Sequence, residues 1–371
     1  MKDSKKVSIL RVAAPVAALA FVVVVLAILT LNTPASQTVI ERELADVNVA
    51  NELFSDRSAA AGAYTTSTNQ QEESRNSEIS ESDLAPSPSP AEVQSVNADL
   101  RDAMVNIFCV SGSRNPLGSV SGSGVVVSES GAVLTNAHVA QRFLLQDYPA
   151  NASVECIVRN GSPAAPAYRA ELVYISPEWI FENKDTLAAP IAVGTGEDDF
   201  AILQLTGTIS GAELPDELPF VPVTDFEVEG DELVVAAGYP AVGSSSTIRT
   251  GLDLISAFVP IQNRFTFERD TVDLISLGGI QIAEQGVSGG GVMNLEGELI
   301  GLLVTSSLAE DIDDRDVRAI TVGHIARSFA KQHQEDFTTY LQSDLNTARE
   351  QFMRDVAPVL TVALLDGLGA F

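Results

Sequence analysis

The chain has 371 residues and a formal net charge of −28 at pH 7, because 50 acidic residues outnumber 22 lysines and arginines. A nucleic-acid-binding surface needs clustered Lys and Arg side chains, so this charge argues against a nucleic-acid partner. Only 3 histidines and 2 cysteines are present, and no glycine-rich stretch carries the lysine of a phosphate-binding loop. We therefore expect no metal site and no cofactor.

The first element in chain order is an uncharged apolar segment, Val12 to Leu31. As a helix it would be ~30 Å long, the hydrocarbon thickness of a bilayer. Basic residues precede it and acidic residues follow, so the positive-inside rule places residues 1–11 in the cytoplasm and the rest of the chain outside. We predict a single-pass cell-membrane protein anchored by residues 12–32. A signal peptide cleaved near residue 35 is the alternative, although secretory apolar regions are usually only ~7–15 residues long.

Residues 33–98 are polar, acidic and poor in large apolar side chains. Such a segment buries too little surface to offset its ordering entropy, and it predicts a disordered linker. Residues 99–333 follow as the folded domain. The apolar residues between Phe337 and Phe352 recur at helical spacing, so residues 334–371 are predicted to form a helical extension.

The folded domain consists of short β-rich runs separated by Gly, Asn, Asp or Pro. They include VNIFCV, DFAILQL and ELIGLLVTS, and no long helical period lies between them. Ten or more such runs indicate an all-β sandwich or a pair of barrels rather than an α/β fold. Near the end of the domain, RAITVGHIARSFAKQ predicts a strand that leads into a helix.

Three polar residues interrupt this pattern at points where catalytic chemistry is possible. His138 lies in TNAHV, Asp199 in GEDDFAILQL and Ser288 in GVSGGG. A serine hydroxyl becomes a nucleophile when an imidazole takes its proton, and a carboxylate can orient that imidazole. The chain order His, Asp, Ser is that of one well-characterised catalytic triad.

TNAHV, DDFAIL and GVSGGGVMNLEGELIGL resemble the three catalytic blocks of chymotrypsin-like (trypsin-like) serine peptidases, and above all those of the bacterial Deg/HtrA group without its PDZ module. Gly122-Ser123-Gly124 and Gly238-Tyr239-Pro240 also stand in family positions, and the resemblance extends from Val105 to Ala330. It implies an all-β double barrel of two six-stranded antiparallel Greek-key barrels, with the active site between them. Protein or peptide substrates are expected. The sequence makes no prediction about the oligomeric state.

The resemblance implies a role for each catalytic position. His138 would be the general base, Asp199 its orienting acid and Ser288 the nucleophile, and the N–H groups of Gly286 and Ser288 would form the oxyanion hole. Asp198 could in principle replace Asp199, but the family pattern puts the acid directly before the apolar pair.

Val287 departs from the family, which usually has Asn or Asp before the serine. An inactive pseudopeptidase that acts as a binding or scaffold module is therefore the main alternative.

The resemblance also assigns the pocket for the substrate's P1 side chain to Ile282, Ala283 and Thr305. None of these side chains is acidic, so we expect a small or medium apolar P1 residue rather than a basic one.

Two further patterns have more than one interpretation. Cys109 and Cys156 could form a disulfide in an oxidising compartment or be two buried apolar residues. GVSGG also fits the G-x-S-x-G turn of α/β-hydrolases, with Asp311, Asp313 or Asp316 as the acid and His324 as the base. That turn needs a helix after the serine, whereas the strand-like ELIGLLV follows here, so an esterase is the weaker alternative.

Overall fold

The computed structural model describes residues 89–111, 117–146, 154–187, 195–224, 228, 232–241, 248, 251–267, 271–279, 284–306 and 316–369. They belong to one compact unit, Ala85–Phe371. No helix within these ranges is long and apolar enough to cross a membrane. The predicted anchor, residues 12–32, lies outside them, as does the linker up to residue 88, so both remain predictions.

The first described element is helix α1 (Pro90–Ala103). The Ser89 hydroxyl accepts a hydrogen bond from the Glu92 N–H at 3.3 Å, and the Glu92 carboxylate accepts one from the Ser89 N–H at 2.7 Å. This reciprocal cap satisfies two N–H groups that a helix start leaves unpaired. The disordered linker was predicted to extend to residue 98, but residues 90–98 belong to this helix. The capping signal S-P-A-E marks the helix start in the sequence.

The first sheet is a closed six-stranded antiparallel barrel, as predicted for this half of the domain. Its strand order is β1-β2-β3-β6-β5-β4. The strands are β1 (Met104–Ser111), β2 (Ser119–Val126), β3 (Ala132–Thr135), β4 (Val154–Asn160), β5 (Ala165–Ile175) and β6 (Ala201–Thr208).

The second sheet has seven strands in the order β8-β7-β11-β12-β13-β10-β9. They are β7 (Leu233–Gly238), β8 (Ile255–Pro260), β9 (Asn263–Phe265), β10 (Leu274–Gly278), β11 (Gly291–Met293), β12 (Leu299–Ser306) and β13 (Val317–Thr321). Over the described residues this sheet is an open half-barrel, which corrects the expectation of a second closed six-stranded barrel.

Strands β8 and β9 stand at the two ends of this order, although only Ile261 and Gln262 separate them in the chain. The Ile261 N–H donates to the Glu232 carbonyl, just before β7, at 3.0 Å, while the Gln262 N–H donates to the Ser276 carbonyl of β10 at 2.8 Å. The chain therefore passes within two residues from the edge strand that pairs with β7 to the edge strand that pairs with β10, and β8 and β9 are not paired with each other.

Short helices connect and follow the sheets, and the expected C-terminal helices are present. The α-helices are α2 (Ala137–Ala140), α3 (Pro177–Asn183), α4 (Val322–His333), α5 (Phe337–Leu341), α6 (Leu345–Asp355) and α7 (Ala357–Gly367). The 3-10 turns Gln141–Leu145 and Lys184–Thr186 follow α2 and α3. The last helices pack back on the first barrel: Arg349 of α6 binds Glu171 of β5 at 2.9 Å, and the Thr361 hydroxyl of α7 donates to the Leu144 carbonyl at 3.0 Å.

Cys109 and Cys156 form a disulfide in the structure. They are paired residues of the neighbouring strands β1 and β4, and both are buried. The bridge links two strands whose cysteines are 47 residues apart in the chain.

Replacing both cysteines with alanine is expected to lower the free energy of unfolding. Closing a loop across the separation of 47 residues corresponds to about 4 kcal/mol in the chain-entropy model. Denaturant midpoints of the oxidised protein and the double variant measure the difference. Reduced wild type is the control and should match the variant. Equal midpoints for the oxidised protein and the variant would contradict the expectation.

Candidate active site

His138 and Asp199 are brought together by neighbouring strands of the closed barrel. β3 leads directly into α2, which carries His138, and Asp199 lies two residues before β6. Thr135 of β3 is paired with Ala201 of β6. Both side chains therefore emerge at the same end of the barrel.

The contact between His138 and Asp199 uses both carboxylate oxygens. His138 Nδ1 lies 2.7 Å from Asp199 Oδ2, and the His138 backbone N–H donates to Oδ1 at 2.9 Å. Asn136 Nδ2 donates to the Asp199 carbonyl at 2.9 Å, which fixes the backbone as well. The side chains are 13% and 6% exposed. The carboxylate thus orients the ring and leaves Nε2 available for a second partner.

Ser288 lies in the turn before β11, in the second sheet, and Ser123 of β2 fastens this turn to the barrel. The Ser123 N–H donates to the Ser288 carbonyl at 2.7 Å. The Ser123 hydroxyl donates to the Gly286 carbonyl at 2.8 Å and accepts from the Tyr239 N–H at 2.9 Å. Ser123 is fully buried. Ser123 alone therefore binds the backbone of three residues of the second half of the domain, Ser288, Gly286 and Tyr239.

The same contact connects the serine turn to the strand that carries the histidine. Thr135 Oγ1 donates to the Ser123 carbonyl at 2.7 Å, and Thr135 precedes His138 by three residues. The structure thus brings Ser288 and the His138–Asp199 pair to one junction between the sheets. Within the described residues, the Ser288 hydroxyl makes no hydrogen bond to the His138 ring.

Gly286 and Gly289 need to be glycines for steric reasons. Both have left-handed backbone, with φ of +94° and +82°. A Cβ on Gly286 would lie 2.7 Å from the Tyr239 carbonyl oxygen, and one on Gly289 would collide with the Ser123 carbonyl oxygen and lie 2.5 Å from Thr135 Oγ1. Gly286 can lie this close to the segment after β7, and Gly289 this close to the barrel, only because neither carries a side chain.

Only some backbone N–H groups of the serine turn have an acceptor among the described residues. The Gly289 N–H donates to Leu303 at 2.8 Å and the Gly290 N–H to Val287 at 2.7 Å. The N–H groups of Gly286 and Ser288, by contrast, have no acceptor in the part of the chain that the structure describes. Such unpaired N–H groups are the kind of donor that can stabilise a negative oxygen.

Val287, the residue that departs from the family pattern, is 6% exposed and belongs to the apolar core of the second sheet. A Cβ placed on Gly238 would lie 3.1 Å from the Val287 Cβ, so the valine packs tightly against β7. Apolar packing therefore holds this position.

The predicted pocket residues are only partly described. Ile282 and Ala283 lie outside the described residues. The backbone of Thr305 lies in β12 opposite Arg318 of β13, and its side chain is not described. The expected apolar P1 preference remains a prediction.

Two further residues lie in this region, Ser123, for which the sequence predicted no role, and Asp198, which the sequence offered only as a substitute for Asp199. Ser123 lies in the Gly122-Ser123-Gly124 stretch, whose signals in the sequence were its family position and a small polar residue between two glycines of a strand. Asp198, next to Asp199, has left-handed backbone with φ of +57°, and its carboxylate binds helix α4. It is Asp199, and not Asp198, that contacts His138.

His324 belongs to a separate polar cluster. Its Nδ1 lies 3.3 Å from Asp273 Oδ1, which also accepts from Arg327 at 2.6 Å. Burial lowers the pKa of the His324 imidazole. The acid that faces His324 is thus Asp273, which precedes Ser288 in the chain, and the element that follows Ser288 is strand β11. The esterase alternative required an acid after the serine and a helix directly behind it, so this arrangement does not fit it.

Comparisons with known proteins give one family match and several similar structures. Residues 122–302 match the model of the trypsin-like peptidase domain. No curated protein matches the chain. The active form of the Rv3671c protease from M. tuberculosis is 20% identical, with 73% of this chain and 94% of that chain covered and a TM-score of 0.40.

Two further solved structures are similar at the same level of identity. The serine endoprotease from Yersinia pestis is 20% identical, with 68% of this chain and 69% of that chain covered and a TM-score of 0.42. The HtrA-type protease AlgW with a tripeptide is 20% identical, with 67% of this chain and 65% of that chain covered and a TM-score of 0.41.

Proposed function

We propose that this chain, whose residues 122–302 match the model of the trypsin-like peptidase domain, is a serine endopeptidase that hydrolyses peptide bonds of proteins or peptides. The observation that carries the proposal is the double contact between Asp199 and His138. Asp199 Oδ2 lies 2.7 Å from His138 Nδ1, and Asp199 Oδ1 accepts from the His138 backbone N–H at 2.9 Å. The attachment of the Ser288 turn to Ser123 supports the proposal, because the Ser123 carbonyl also accepts from Thr135, three residues before His138.

In the first half of the reaction, His138 Nε2 takes the proton of the Ser288 hydroxyl while Oγ attacks the scissile carbonyl carbon. The carbonyl oxygen becomes negative and accepts hydrogen bonds from the N–H groups of Gly286 and Ser288. His138, now charged, is stabilised by the Asp199 carboxylate. It then gives its proton to the amine nitrogen, the C–N bond breaks, and an acyl-enzyme remains.

In the second half, water repeats these steps. His138 Nε2 takes a proton from the water, whose oxygen attacks the ester carbon of the acyl-enzyme. The same two N–H groups hold the negative oxygen. The bond to Ser288 Oγ breaks, Oγ takes back its proton from His138, and the carboxylic acid product leaves.

The location is part of the proposal: a single-pass protein of the bacterial cell membrane, with the peptidase domain on the outer side. The uncharged segment Val12 to Leu31 with basic residues before it supports this orientation. The Cys109–Cys156 disulfide supports it independently, since disulfides persist in oxidising compartments and are rare in the cytosol.

Labelling with a serine-directed fluorophosphonate tests the function. We expect the full chain, purified in mild detergent, to be labelled and to cleave casein, because an activated serine reacts with both. Ser288→Ala should do neither. Ser343→Ala, which removes an exposed hydroxyl bonded only within its own helix turn, is the matched control and should behave like wild type.

One outcome overturns the enzyme proposal. If wild type is folded but neither takes up the label nor cleaves casein, the chain is not an active peptidase. The pseudopeptidase alternative then replaces it.

A further inference from the structure

Asp198 occupies a costly backbone conformation directly beside the residue that orients His138. Its φ of +57° is left-handed, which costs a non-glycine residue roughly 1–3 kcal/mol. The turn is tight: the Phe200 N–H donates to the Asp198 carbonyl at 2.9 Å, and the Asp199 N–H donates to the Gly196 carbonyl at 3.2 Å. Such a conformation persists only where surrounding contacts impose it.

Helix α4 supplies those contacts. The Ser328 hydroxyl donates to Asp198 Oδ1, and Gln332 Nε2 donates to the same oxygen at 3.2 Å. Ser328 and Gln332 are four residues apart on the helix, so they share one face. Asp198 is 9% exposed and Ser328 is 7% exposed. The buried carboxylate is therefore held by two neutral donors.

Gln332 extends this network to the closed barrel. Its Oε1 accepts from the Tyr174 hydroxyl at 3.0 Å and from the Ser176 hydroxyl at 3.1 Å, at the end of β5. Its Nε2 also donates to the Ser328 hydroxyl at 2.8 Å. All donor and acceptor positions of the amide are thus used, and a fully satisfied buried network fixes the position of its members.

We infer that Asp198, Ser328 and Gln332 form a positioning clamp, by which helix α4 sets the orientation of the Asp199 carboxylate towards His138. These residues touch no reacting atom and act through Asp199. The peptide bond between Asp198 and Asp199 carries the constraint: rotating the Asp198 backbone out of the left-handed region would swing Asp199 away from the ring. The clamp therefore links a helix behind the second sheet to a catalytic pair on the first barrel. The inference rests on the proposed function.

Three substitutions separate the clamp from the turn itself. Asp198→Gly keeps the left-handed backbone without strain and removes the carboxylate. Ser328→Ala keeps the carboxylate and removes its hydroxyl donor. Asp198→Asn is the conservative variant, because asparagine tolerates left-handed backbone and its Oδ1 can still accept from Ser328. Ser343→Ala again serves as the control, since its hydroxyl binds only Tyr340 of its own helix turn.

We expect Asp198→Gly and Ser328→Ala to lower kcat by up to about 100-fold, the loss that ~1 Å of misplacement causes, with KM unchanged. The rate of fluorophosphonate labelling of Ser288 should fall in parallel, and Asp198→Asn should restore most of both. Thermal unfolding of each variant shows that it is folded at the assay temperature. Asp198→Gly relieves strain and is expected to fold even if Ser328→Ala does not.

Proton NMR gives a readout that needs no turnover. The low-field signal of the His138 Nδ1 proton, identified by its loss in Asp199→Asn, should shift or broaden in Asp198→Gly and Ser328→Ala and remain in Asp198→Asn. If Asp198→Gly and Ser328→Ala match wild type in labelling rate, in cleavage and in the His138 Nδ1 proton signal, the clamp is overturned and the proposed function stands. If wild type does not label, the proposed function fails, and the NMR signal alone decides whether the clamp orients Asp199.

Discussion

Replacing Asp199 with asparagine is expected to lower kcat by about 10⁴-fold, the loss that the same change causes at the orienting acid of the best-studied serine peptidase triad. The reason follows from its contacts. Oδ1 accepts from the His138 backbone N–H at 2.9 Å, and Oδ2 faces the ring Nδ1 at 2.7 Å.

An asparagine has only one oxygen to offer these two positions. If that oxygen accepts from the backbone N–H, the amide NH₂ faces Nδ1 and holds the ring in the tautomer with its proton on Nε2. Nε2 then cannot take the proton of Ser288. KM should change little, because the acid touches no substrate.

Steady-state kinetics on a cleaved peptide, together with the rate of fluorophosphonate labelling, measure this loss. Asp355→Asn makes the same chemical change at an exposed aspartate that pairs with Arg354, and it should leave both rates unchanged. Near wild-type labelling of Asp199→Asn would show that Asp199 is not the orienting acid.

Replacing Gly289 with alanine is expected to lower the labelling rate of Ser288 by at least about 100-fold, through displacement of the serine turn. The added Cβ would collide with the Ser123 carbonyl oxygen and lie 2.5 Å from Thr135 Oγ1. Ser123 is also the residue whose N–H holds the Ser288 carbonyl at 2.7 Å. Ser123 cannot move without weakening this bond, and Thr135 Oγ1 cannot move without weakening its own bond to the Ser123 carbonyl at 2.7 Å.

Gly297→Ala is the matched control for this change. Gly297 has φ of +86°, close to the +82° of Gly289, but nothing lies within 4 Å of its Cβ position. Both variants therefore carry the left-handed backbone cost of ~1–2 kcal/mol, and only Gly289→Ala adds the collision. Thermal unfolding and labelling rates measured side by side separate the two effects. Equal labelling rates for the two variants would contradict the expected displacement.

The sequence alone determined the β-rich character of the domain and the candidate triad types. Strand-length apolar runs between turn residues depend on local backbone preferences, and they predicted an all-β sandwich or pair of barrels followed by helices. The closed first barrel was implied only by the resemblance to trypsin-like peptidases. The order of His138, Asp199 and Ser288 along the chain was likewise visible as three short local blocks. Helix α1 had a local signal too, since its capping box stands in four consecutive residues.

The tertiary structure decided what depends on contacts between distant segments. Residue Ile261 still bonds to the segment before β7, whereas the next residue, Gln262, bonds to β10, and no local pattern specifies this change of partner. Ser123 holds the Ser288 turn across 165 residues and Ser328 reaches Asp198 across 130, so neither role has a sequence signature of its own. Local propensity fixes which residues form strands and turns. Which of their polar groups meet is decided only when packing brings distant segments together and every buried donor must find an acceptor.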